Sequence, residues 1–177
     1  MGSNRKDSWD LRFVQLADTV ASWSKADTKV GAIIVRPSNL AVIAQGFNGF
    51  PRRIGDNRTT YADRWEYPTR SHYDEHAERN AIFNAAYLGH RTEGCTLYLN
   101  WAPNHICAEC ARAIIQAGIT EVCGPIDEMV VRNEGSWRDG LRVAESMLGE
   151  AGVEVFYTVA PKHYDPRQTR LNLPEGF

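Results

Sequence analysis

No apolar run in this 177-residue chain approaches the length needed to cross a membrane. The opening residues, Met1 to Ser8, are polar and lack the apolar centre of an export signal, so secretion is not expected. Charge of one sign is also missing. The formal net charge is −2 and the sequence pI is about 6.2, which argues against broad electrostatic binding to nucleic acid but not against a small anion held by a local basic cluster. There is no internal repeat and no low-complexity segment. Cysteine is sparse, at four residues: Cys95, Cys107, Cys110 and Cys123. Without an export signal, a disulfide framework is the less natural use for them, and Cys107-Ala108-Glu109-Cys110 reads as metal-binding or redox chemistry. Cys95 and Cys123 adjoin apolar strand residues and read as small buried hydrophobes.

What remains is an ordinary globular composition, 43% apolar and 24% charged, in a chain long enough for one domain with a substantial core. Trp9, Phe13, Leu16, Val20 and Trp23 recur at helical spacing and predict a first helix with one core-facing stripe, capped by Asp7 or Ser8. Val30 to Val35 and Leu40 to Phe47 predict two strands of an antiparallel hairpin around Pro37-Ser38-Asn39. Helices are predicted from an Asp74 cap to about Leu88, from Cys107 to Ala117 and from Trp137 to Ala151. Gly89 and Gly118 stop the first two. Strands are predicted at Thr96 to Asn100, Glu121 to Cys123 and Val153 to Val159. Strands joined through helices become parallel. The expected fold is therefore α/β: a three-layer α/β/α sandwich around a mixed five-stranded sheet. Residues 1–8 are expected as a polar lead-in, 9–159 as the catalytic domain and 160–177 as an extended, proline-punctuated tail.

Between Pro51 and Tyr73 no period is visible. That is about two dozen residues, long for a connection in a compact domain, and such loops tend to be functional or disordered. It carries Arg52, Arg53, Arg58, Arg64 and Arg70, which suit bidentate pairing with phosphate or carboxylate. The competing reading is a solvated face whose arginines pair with Asp56, Asp63 and Glu66.

The chemistry concentrates in His76-Ala77-Glu78 and, 31 positions on, Cys107-x-x-Cys110. One imidazole and two thiols make three metal ligands and leave a fourth position for water, the composition of a catalytic zinc site. On a helix, His76 and Glu78 stand about 200° apart, so one grips the metal while the other leans past it. Each residue alone has a bland reading: a core or surface histidine, a helix-surface carboxylate, a structural cysteine pair. His105 could be an extra ligand, but with three already present it reads better as a loop or substrate-contacting residue.

These residues resemble the zinc-dependent cytidine deaminase-like superfamily and, within it, the deoxycytidylate (dCMP) deaminases. The likeness rests on Trp9-Asp10, on Thr28 to Val35, on Gly46-Phe47-Asn48-Gly49-Phe50-Pro51, on His76 to Ile82 and on Cys107 to Ile119. One departure stands out. The family usually has proline directly before the first metal cysteine; here it is Ile106, and the nearest proline is Pro103. The resemblance implies Zn2+ on His76, Cys107 and Cys110, zinc-bound hydroxide as nucleophile and Glu78 as proton shuttle. It implies substrate contacts at Asn48 and Ala77, with Arg52, Arg53 and Lys25 as candidates for a 5′-phosphate; Asn48 reads equally as a turn residue between two glycines. A cytoplasmic homo-oligomer, possibly a hexamer, acting on a small nucleotide and open to deoxynucleoside triphosphate effectors, is the accompanying expectation. No nucleic acid or membrane partner is expected. The alternatives are a zinc deaminase of the same fold with a different substrate (another base, a nucleoside, a modified cytosine nucleotide or an RNA-borne base) and a non-enzymatic zinc module.

Overall fold

A computed structural model describes residues 3–126 and 136–158. Five strands form one mixed sheet in the order β2-β1-β3-β4-β5. β1 (Gly31–Arg36) pairs antiparallel with both β2 (Ala41–Phe47) and β3 (Thr96–Leu99). β4 (Glu121–Pro125) and β5 (Glu154–Thr158) then add in parallel. The expected hairpin, the five strands and the mixed sheet are all present.

β1 is buried at its first five positions, which is why its sequence shows no alternation. Ile33 and Val35 face one core with Phe13, Val14, Ala17 and Val20 of α1 (Ser3–Ala21). Ala32 and Ile34 face a second core. That core is built on α3 (Ala77–Tyr87), α4 (Ala108–Gln116) and α5 (Ser136–Glu150). Helices on both faces make the three-layer sandwich.

Three local expectations need correction. The first helix spans Ser3–Ala21, so Asp7 and Ser8 lie inside it rather than capping it. No Gly or Pro stands between Ser3 and Ala21 to delay the start. Its core face is Phe13, Val14, Ala17, Val20 and Ala21, while Leu16 and Trp23 of the predicted stripe are exposed at 37% and 53%. Leu16 loses its place because Ala17 and Ala21 are the residues that approach Gly31 of β1 at backbone distance. Asp74 does not cap α3. It closes the short α2 (Thr69–Tyr73), its N–H donating to Arg70 O at 2.9 Å, and His76 is the N-cap of α3. The tail at 160–177 lies outside the described residues.

The stretch between β2 and α3 is organised. Phe50 stacks on Trp65 at 4.5 Å between centroids and tilts against Tyr73 at 5.4 Å. Arg58 and Arg70 lie over the Trp65 ring at 4.6 and 5.7 Å, and Arg64 lies over Tyr61 at 4.2 Å. Cation–π packing thus does for this segment what an apolar stripe does for a helix.

α3 also covers the edge strand. Asn80 Nδ2 donates to Phe47 O at 2.8 Å, Asn84 Nδ2 to Gln45 O at 2.6 Å, and His90 Nδ1 meets Ile43 O at 2.8 Å. Alternate carbonyls of β2 are thereby satisfied, which blunts an otherwise open edge. The approach needs Gly46: a Cβ there would stand 2.3 Å from Ala81 N and 2.5 Å from Ala77 O. Gly46→Ala should therefore destabilise the chain by about 2 kcal/mol or more, as overpacking does. This reverses the stabilising sign of an unstrained Gly→Ala change. A lowered urea midpoint checks it; an unchanged or raised midpoint would contradict the packing.

Candidate metal centre

β2 and β3 both end at one edge of the sheet, and α3 and α4 begin there after their connections. Sites in α/β folds gather outside such carboxyl ends. His76 and Cys107 occupy equivalent places. Each is the extended N-cap residue of its helix, with φ/ψ of −71°/151° and −76°/162°. The Cys107 thiol sulfur takes the role usually filled by a Ser or Asp oxygen and accepts from the Cys110 N–H at 3.5 Å. His76 Nδ1 stands 3.5 Å from Sγ of both Cys107 and Cys110. The three ligand atoms lie within 4.8 Å of one another, and they are the only such metal-ready group among the described residues. His105 is not in it. Its ring tilts against Trp101 at 5.3 Å, within the turn Pro103–His105 that precedes the metal cysteines.

The electrostatics suit a dication. Hydrogen bonding to Cys110 and then to His76 draws the Cys107 thiol down to about 3, against the desolvation that raises it. Hydrogen bonding to Cys107 lifts His76 to about 9. Cys110 is pushed up, first by its hydrogen bond with Cys107 and then by burial. Three ligands sharing protons this closely are held together by what a metal would replace. A bound dication displaces those protons and favours both thiolates. Helix N-termini add partial positive charge in the same direction. The donor set and spacing fit zinc.

Glu78 lies one residue into α3 beyond Ala77 and is buried, whereas His76 is exposed. The helical angle expected between the two does not apply, because His76 is extended and only Glu78 is helical. Burial raises the Glu78 pKa above the ordinary carboxylate range, opposed by the charge of His76.

A cavity of about 450 Å³ opens beside the cluster, lined by His76, Asp27, Trp65, Tyr67, Arg70, Ser71 and Asp74. A larger one, about 610 Å³, lies near the hairpin turn with Trp9, Leu40 and Glu121 and includes none of His76, Cys107 and Cys110.

The profile described as the cytidine and deoxycytidylate deaminase zinc-binding region matches residues 7–124. The chain belongs to this deaminase family. It is 36% identical over 148 residues to an uncharacterized deaminase in the luxG 3′ region of Aliivibrio fischeri, covering 83% of this chain and 91% of that one. It is 32% identical over 183 residues to the deoxycytidylate deaminase of Enterobacteria phage T4, covering 81% and 86%. Among solved structures, dCMP deaminase from the cyanophage S-TIM5 in complex with dCMP and dUMP aligns with a TM-score of 0.57 at 28% identity, covering 88% of this chain and 97% of that one. The enzyme class is therefore a zinc-dependent deaminase, which removes the non-enzymatic alternative.

The remaining expected contacts are dispersed in this deaminase. Asn48 is buried and its amide bridges backbone: Oδ1 accepts from Val30 N at 2.9 Å and Nδ2 donates to Thr28 O at 2.9 Å. Ala77 is fully buried at the first turn of α3. Arg52 reaches the far end of α3, hydrogen-bonding Asn84 and lying 4.8 Å over Tyr87. Arg53 is exposed with φ of 69°. Lys25 pairs with Asp56 at 2.7 Å on the surface. The arginine at the cavity is Arg70, with Arg58 joined to it through Asp27. Five arginines in one segment signalled a basic loop, but nothing in the sequence says which of them the Trp65 ring will orient.

The cage should bind one zinc per chain. Cys107→Ser and His76→Ala should each weaken zinc binding by at least tenfold in a chelator competition, because a three-ligand site loses one of its grips. Unchanged affinity would contradict the assignment of the ligands.

Proposed function

We propose that this enzyme hydrolyses dCMP to dUMP and ammonia. The observation that carries it is the single cavity with His76 in one wall and Arg70 and Asp27 in another. Asp27 is bridged by two guanidiniums, 2.8 Å from Arg58 and 3.7 Å from Arg70, while remaining 76% exposed. That is the pairing a nucleotide phosphate would take from the same arginines. Trp65 Nε1 and Asp74 Oδ1, buried in residues of the cavity wall, have no hydrogen-bond partner in the protein, which marks polar capacity held back from the fold. The structural relative crystallised with dCMP and dUMP supports the same substrate class.

Zinc, when bound, acidifies water so that hydroxide is available near neutral pH. The chain's own residues handle the protons. Glu78, buried and with its carboxyl pKa raised by that burial, accepts a proton from water and delivers it to N3 of cytosine as oxygen bonds to C4. It then takes the remaining proton from the new C4 hydroxyl and passes it to the exocyclic nitrogen, the C4–N bond breaks as C4=O forms, and ammonia leaves. Water supplies the oxygen of the uracil product, so the reaction balances without a redox partner. Asn48 holds the loop before β1 against the end of β2, and Ala77 opens α3 between His76 and Glu78, where its backbone N–H is a candidate contact for the base.

No disulfide joins the four cysteines, which favours a reducing, cytoplasmic setting. No helix among the described residues is long and apolar enough to cross a membrane. Phe83, Tyr87 and Leu88 stand exposed on α3 and favour a homo-oligomer. Deoxynucleoside triphosphate control remains a proposal from the family resemblance alone.

Glu78→Gln should keep zinc and fold while kcat falls by at least about 100-fold; turnover retained in that variant would remove Glu78 from the mechanism. Ammonia release from dCMP, 5-methyl-dCMP, deoxycytidine, cytosine and adenosine tests the substrate. The expected order puts dCMP about tenfold or more above deoxycytidine in kcat/KM, equivalent to about 1.4 kcal/mol. Arg58→Ala should narrow that gap through KM. Equal rates on the nucleotide and the nucleoside would refute phosphate recognition.

A further inference from the structure

Glu75 sits where three segments of the site meet. Its backbone bridges Gly49 at the end of β2, with N–H to O distances of 2.9 and 3.0 Å. Its Oε1 accepts the His76 backbone N–H at 3.2 Å and also hydrogen-bonds Arg79 Nε. Arg79 then reaches across to the other metal-bearing helix, where Nη1 donates to Glu109 Oε2 at 2.7 Å. Glu109 lies between Cys107 and Cys110. A continuous path of charge-assisted hydrogen bonds thus runs from the cysteine helix, through one guanidinium, to the backbone of the metal histidine. Arg79 and Glu75 keep only 23% and 18% of their side-chain surface, so this pair is shielded; Glu109, at 60%, is screened by solvent.

The geometry points to Arg79 as a positioning residue that sets the spacing of the zinc cage before the metal arrives. Arg79 hydrogen-bonds elements of both halves of the cage without itself being a metal ligand. α3 carries His76 and Glu78; α4 carries the thiols. Apolar packing between the two helices resists separation but slides easily, because it is non-directional. A guanidinium bonded to a carboxylate on each side fixes direction as well as distance. Groups that hold ligands in place without touching the metal commonly carry 10–100-fold in affinity.

This inference rests on the zinc assignment, and the test separates the two. Zinc affinity is measured by chelator competition on the full chain, and cage geometry by the visible absorption of the cobalt(II)-substituted protein. Arg79→Met is expected to lower zinc affinity by about tenfold or more and to weaken or shift the cobalt bands. Arg79→Lys, which keeps the charge but cannot span both carboxylates, should recover little of the loss. Glu109→Gln, an exposed change with little risk to folding, should show a smaller loss in the same direction. At saturating zinc the KM for nucleotide should stay unchanged in all three. Wild-type zinc affinity and cobalt spectra in both Arg79→Met and Glu109→Gln would overturn the strap while leaving the metal site intact. Full recovery by Arg79→Lys would also overturn it, in favour of charge alone. A wild-type chain that binds no zinc would instead overturn the metal assignment.

Discussion

Three soft ligand atoms, donated by two helix starts that are 31 residues apart in sequence, have to arrive within 4.8 Å of one another. Most of the molecule can be understood as the means to that meeting. β3 carries the chain from the end of α3 back under the sheet and releases it beside its starting edge, so that α4 begins where α3 began. The two N-cap residues then use the one backbone geometry that turns a side chain out of a helix end. In this position a thiol or an imidazole can serve both its helix and a metal. Gly46 lets α3 approach closely enough, and the asparagines along α3 lock it onto β2. Backbone contacts therefore supply much of the positional accuracy.

Charge is handled with equal economy around the site. Two prospective thiolates, Glu78 and Glu75 would make a strongly anionic pocket, unsuited to an anionic nucleotide. A bound dication cancels the thiolates, and Arg79 is shared between Glu75 and Glu109. On the cavity's other side Arg58 and Arg70 are held over Trp65 with Asp27 between them. The arginines are thus oriented by aromatic faces and buffered by carboxylates.

This pairing also shows why the basic loop was harder to interpret than the metal motif. The arginines do pair with carboxylates, but Asp27 and Asp74, from outside the loop, are partners that no count of charges inside it would suggest. Arg52, Arg53 and Lys25 looked as suitable as Arg58 and Arg70; Arg52 reaches Asn84, Lys25 pairs with Asp56 and Arg53 is exposed. Leu16 and Trp23 failed as core residues for a similar reason: helical spacing names a face, while the close contact of α1 with Gly31 selects Ala17 and Ala21 within it.

Local chemistry was enough for the order of the strands and the longer helices, the hairpin, the glycine stops and the His/Cys/Cys set that the fold brings together. A Cys-x-x-Cys pair and a His-x-Glu step have few other uses in combination, and hydrophobic period is a property of neighbours along the chain. The tertiary structure alone decided which arginines face the cavity, that Asn48 ties backbone together, that His76 rather than Asp74 begins α3, and that Arg79 spans the two halves of the cage. Those outcomes depend on distances between residues far apart in sequence. Such distances are set by packing and by competition for partners, neither of which leaves a local pattern to read.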